Sequence, residues 1–190
     1  MTTDPTETAP PPAAAGRYLR LAFTIVLAAY GLAIARHPDG GSLMDNVDLP
    51  IHETGHLVFA PFGEFLGFAG GTLFQLIMPA AFVAYFLRRM DRHSASVALW
   101  WIAQNFWNIS VYAADARAQE LPLVGGGEHD WAYLLGALHW LPYDQRIARG
   151  LWTTGVVIYV AAIISGLWAV TGTTAAAPLS FAEPTAPREE

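Results

Sequence analysis

His52, Glu53 and His56 form an HExxH motif, His52-Glu53-Thr54-Gly55-His56. On a helix, positions i and i+4 share one face, about 5–6 Å apart at Cβ. Two neutral imidazoles at that spacing can hold one metal ion, and the adjacent glutamate reaches a water on that ion. Nitrogen and carboxylate donors at a hydrolytic motif make zinc the default cofactor. Glu53 then serves as general base, taking the proton of a zinc-bound water and passing it to the leaving amine.

A hydrolytic zinc site takes three protein ligands and keeps one position open. The third must come from elsewhere in the chain, and two residues qualify. Trp101, Asn105, Asn108, Tyr112, Asp115 and Gln119 recur in steps of four and three. They form one polar stripe of a helix, with Asp115 near its far end. The loop after this helix carries Gly125-Gly126-Gly127 and then Glu128-His129-Asp130. His129 is a sound ligand, and Glu128 or Asp130 beside it can orient an imidazole from behind. His129 and Asp115 are therefore both candidates, with the choice leaning to His129. Asn105 or Asn108 would polarise a substrate carbonyl and Tyr112 would line the cavity. Asp130 also suits the start of the next helix as its cap. His37, His93 and His139 carry weaker signals, and His139 reads as a hydrogen-bonded core residue.

The elements that position these groups belong to a membrane. Of 190 residues, 54 % are hydrophobic and 14 % charged, against about 25 % charged in a soluble domain. Mean hydropathy is +0.33. A net charge of −6 offers no basic footprint, which argues against a nucleic-acid partner. The absence of cysteine removes thiolate metal sites, disulfides and cysteine nucleophiles. Six apolar segments succeed one another, at 18–35, 49–68, 71–87, 96–118, 131–141 and 151–170. The predicted fold class is all-α: a polytopic helical membrane protein with five to six segments. The second segment contains Pro61, Gly63, Glu64, Gly67, Gly70 and Gly71. It reads as a short, half-inserted HExxH helix. Seven of the ten arginines then share the amino-terminal, cytoplasmic side, provided the fifth segment crosses. Residues 1–16 and 172–190 read as disordered tails around one membrane-embedded domain, 17–171. The alanine-rich, lysine-free composition points to a multi-pass protein of a bacterial inner membrane. The tryptophans mostly fall near segment ends, as an aromatic belt would. Gly31, Gly55 and Gly155 suit close helix contact.

The segment IHETGHLVFAPFGEFLGFAGGTLFQLIMP, residues 51–79, resembles the start of the site-2 protease family of intramembrane zinc metalloproteases. His52, Glu53 and His56 map onto that family's HExxH, and Gly67–Gly71 onto its irregular glycine stretch. The family's asparagine-proline and leucine-aspartate-glycine motifs do not occur. The resemblance implies peptide-bond hydrolysis of a membrane-tethered protein or peptide, with an aspartate from a later helix as third ligand. The alternative is a non-catalytic membrane scaffold or assembly factor that keeps a metal site. A lipid-modifying di-iron enzyme would need about eight histidines in several boxes, and a transporter would show internal repeats. The six scattered histidines and the lack of a repeat disfavour both.

Overall fold

The structure, a computed structural model, describes residues 12–123 and 127–172. Six α-helices carry the fold, and no strand occurs among the described residues. They are α1 Pro12–Arg36, α2 Asp45–Phe59, α3 Glu64–Arg88, α4 Arg92–Ala114, α5 Asp130–Ala137 and α6 Asp144–Thr171. Three of them, α1, α3 and α6, are long and apolar enough to cross a membrane. That is fewer than the five to six segments expected. At 1.5 Å per residue α2 spans about 22 Å and α5 about 12 Å, short of a bilayer core of about 30 Å. α4 has the length, but its polar stripe makes it less apolar than these three. The tail residues 1–11 and 173–190 lie outside the described residues. Residues 12–16, expected in the first tail, already belong to α1. Proline is tolerated in a helix's first turn, and the three alanines after it are strong helix formers.

α4 is the central post. Its Trp100 donates to the Leu27 carbonyl of α1 at 3.0 Å, and Trp107 to the Trp152 carbonyl of α6 at 3.2 Å. Trp107 is fully buried. These indoles hold helices together inside the bundle; they do not lie in an interfacial belt. Glycines let the neighbours approach: a Cβ on Gly155 would stand 2.6 Å from Trp107 Nε1, and one on Gly31 2.6 Å from the Tyr159 ring.

At one end of the bundle, His93 at the start of α4 meets Thr24 and the Arg20 carbonyl, and Arg92 stacks over Trp168 near the end of α6. At the other end, Trp152 donates to the Ala35 carbonyl and Arg117 pairs with Asp144 at 2.7 Å. Arg146 and Arg149 therefore share Arg117's end, away from Arg20 and Arg92. The seven-to-three arginine split does not hold, because the eight-residue α5 turns within one end of the bundle and carries the chain across nothing.

α2 and α3 form a tight antiparallel hairpin. A 3-10 turn over Ala60–Phe62 closes α2, and Gly63 turns the chain at φ 104°, in the left-handed region that favours glycine. The helices cross at Gly55 and Gly70: a Cβ on Gly70 would stand 2.5 Å from the Gly55 carbonyl oxygen. Backbone meets backbone there, so neither position admits a side chain.

Candidate metal centre

Helical spacing sets the first half of the site. His52 and His56, one turn apart on α2, have ring centroids 4.8 Å apart and nearly perpendicular planes. The hairpin with α3 fixes their tautomers. The Gly67 carbonyl only accepts, so the His56 Nδ1–H donates to it at 2.8 Å. Gln75 donates through Nε2 to Asn108 Oδ1 at 2.9 Å, which leaves its Oε1 to accept the His52 Nδ1–H at 3.1 Å. Asn108 in turn donates to Asp45 Oδ1 at 3.1 Å, so a carboxylate anchors the chain of amides. Both Nε2 lone pairs are thereby turned to the same point.

Asp130 completes that point. Its Oδ2 lies 3.0 Å from His52 Nε2 and 3.2 Å from His56 Nε2. Two imidazole lone pairs and a carboxylate oxygen repel one another unless a cation or protons lie between them. Ligand atoms about 2.0–2.2 Å from a tetrahedral ion stand about 3.3–3.6 Å apart, a little more than the observed spacing. His52, His56 and Asp130 are thus a group that could hold a metal ion. Burial alone would push the Asp130 carboxyl up, but with protons on the facing Nε2 atoms the two imidazoles outweigh it and hold Asp130 below the ordinary carboxylate range.

His129 and Asp115, the two candidates for third ligand, are placed elsewhere, and their hydrogen bonds say why. His129 caps α5: its Nδ1 accepts the Ala132 N–H at 3.3 Å. Its remaining Nε2–H points to Asp115 Oδ2 at 3.3 Å. With its lone pair committed to the cap, His129 has none to offer a metal. Asp115 accepts the N–H groups of Glu120 and Leu121, each at 3.0 Å. It anchors the loop that leaves α4. Burial pushes its carboxyl up, but these amides and His129 outweigh that and bring it below 3.8. Because His129 takes the cap, Asp130, expected as a cap or an orienting partner, swings to the opposite side and reaches α2. The Tyr112 hydroxyl holds it there by accepting the Asp130 N–H at 3.2 Å.

A cavity of about 890 Å³ opens onto this group. Exposed Glu53 lines it, as do Asn108, Tyr112 and Glu128. Asn105 is wholly buried and donates to the Trp101 carbonyl of its own helix, away from the cavity. Arg117 pairs with Asp144, and His139, expected in the core, is exposed. Sequence reasoning gave Gln75 and Asp45 no place in the site and read Gly71 only as a helix interruption. The signal for Gln75 was its place as the lone amide in an apolar segment. Gly71 faces the site directly: a Cβ there would stand 2.5 Å from His52 Nε2.

Comparison of the chain with family models, curated proteins and solved structures returns no match. Any functional reading therefore rests on the site itself.

Proposed function

We propose that the protein is a membrane-embedded zinc metallohydrolase that cleaves peptide bonds of membrane-tethered proteins or peptides. The observation that carries this reading is the convergence of Asp130 on His52 and His56 with Glu53 beside them in an open cavity. A His₂-carboxylate set suits zinc, which when bound lowers the pKa of a water and polarises a carbonyl. Asp130, His52 and His56 would hold the ion, while Gln75 and the Gly67 carbonyl keep the imidazoles in register. Glu53, exposed to the cavity, takes a proton from the attacking water and delivers it to the departing amine. The carboxylate from a later element also agrees with the resemblance to site-2 proteases, though it comes from the start of α5, beyond the polar stripe of α4.

The same reading has α2 entering the bilayer from one face and returning to it. Its first turns contact the middle of α4, through Asp48 on Trp101 and Asp45 on Gln104, and its last turn meets Gly67 near the start of α3. The loop before α2 and the loop before α5 line one cavity, which supports a common side for both. A scaffold that merely kept a histidine pair would have no use for a cavity of this size beside an exposed glutamate.

The test is metal analysis and peptide turnover of the purified protein in detergent. Stoichiometric zinc with hydrolysis that vanishes in Glu53→Gln is the expected result. Zinc without hydrolysis of any tethered peptide would favour the scaffold.

A further inference from the structure

The walls of the cavity carry one sign of charge. Of the eleven acids within residues 12–172, seven line it, and none of the nine arginines in that span does. A random share of the charged surface would mix the two. A divalent ion on His52, His56 and Asp130 leaves one positive charge, which Glu53 cancels. Five carboxylates remain. Asp39, Asp45 and Asp48 belong to the chain before His52, and Glu64 and Glu128 flank Tyr133 beyond His56. Asp48, 1 % exposed, sits in the wall; its Oδ1 accepts the Trp101 indole N–H, and its Oδ2 lacks a hydrogen-bond partner among the described residues. It lies one turn, about 6 Å, before His52 along α2.

We propose that this groove selects an extended peptide segment with cationic side chains on both sides of the bond presented to His52, Glu53 and His56. The inference rests on the peptide-cleaving reading and names its substrate class. The groove runs along α2, about 22 Å long, with the metal group near its middle. About six or seven extended residues span that length. Side chains two residues to either side of the central bond then stand about 7 Å away, opposite the acids at the two ends. The low-dielectric walls focus the negative field along the groove. A cationic segment relieves the repulsion among the five carboxylates; a neutral one leaves it in place, and an acidic one adds to it.

The experiment uses the full chain in zwitterionic lipid nanodiscs, loaded with zinc, with Glu53→Gln to prevent cleavage. Two fluorescent peptides of about ten residues are compared, one with arginine on both sides of its centre and one with neutral citrulline in their place. The arginine peptide is expected to bind about tenfold tighter at low ionic strength, and the preference should shrink in high salt. It should fall to less than about threefold in Asp39→Asn/Glu128→Gln, whose metal content reports intact folding. Equal binding of the two peptides, binding of neither, or a preference unchanged in the double variant would overturn the proposal. Cleavage by the parent protein separates the two readings. Equal cleavage of both peptides removes the charge selection and leaves the hydrolase. Preferential binding with no cleavage keeps the cationic groove and removes the hydrolase.

Discussion

Glu53 and Asp130 flank the same histidine pair, and different losses are expected from each. Glu53→Gln keeps the metal, because both imidazoles and the carboxylate of Asp130 remain. It should lower peptide turnover by about 10²–10⁴-fold, the usual share of a general base. Asp130→Ala should lose the metal, since no other described carboxylate reaches the two Nε2 atoms. Metal content and turnover measured together separate these roles. Gln75→Ala is expected to weaken metal binding by about 10–100-fold, measured by chelator competition, because the His52 Nδ1–H then lacks its acceptor. Unchanged affinity would mean that packing alone orients His52. Asp115 sets a pH dependence. Its folded pKa lies below 3.8, so its contribution is complete above that value and is lost as pH falls through the lower folded one. Pepsin should therefore spare the chain around Leu121 at about pH 4 and cut there once Asp115 is protonated. Cleavage already at the higher pH would show that Asp115 does not anchor the loop.

Each helix contributes by what it lets its neighbour do. The α2–α3 hairpin brings Gly71 so near His52 that any side chain displaces the ring. Gly71→Ala should raise the helix propensity of α3 by about 1 kcal/mol and still lose most of the metal affinity. A variant that binds metal normally would show that the hairpin can open there without cost. α5 acts through its first residues. His129→Ala removes the cap, with an expected cost of about 1 kcal/mol, and lets Asp130 drift from α2. His129→Asn keeps a capping acceptor and should retain the metal. Metal loss in both variants, equal to that in Asp130→Ala, would instead make His129 a ligand.

The whole molecule sorts its ends by its three membrane-length helices. With α5 turning within one end, Gly40, Gly127 and Arg149 belong to one side, and Arg89 to the other. The chain has no cysteine, so single cysteines at these four positions report directly. An impermeant thiol reagent applied from one side should label the first three together and Arg89→Cys alone from the other. Labelling of Arg149→Cys with Arg89→Cys would show that the segment after Trp131 crosses the bilayer. Labelling of Gly40→Cys and Gly127→Cys from opposite sides would show that α2 does.

Local rules were enough for part of this protein. The 3.6-residue period makes His52 and His56 neighbours wherever the helix lies. The steps of three and four in α4 place Asn108 and Tyr112 on the face that lines the cavity. Composition marks a helical chain with membrane-length spans, and Pro61 with Gly63 marks where the second segment breaks. The third member of the metal group was beyond such rules. Asp130 stands 78 residues from His52, and its neighbour His129 has chemistry at least as suitable. Which of the two turns to the histidines depends on a cap at α5, an anchor at Asp115 and the Tyr112 hydroxyl, all set by packing. The number of crossings was equally out of reach. An eleven-residue apolar run before Pro142 reads as a span by composition, but α5 ends at Ala137, where His139 takes φ 57° and the Trp140 N–H returns to the Leu135 carbonyl at 2.7 Å. Periodicity is a property of neighbours along the chain, whereas donor and acceptor assignments are made between residues that meet only when it folds.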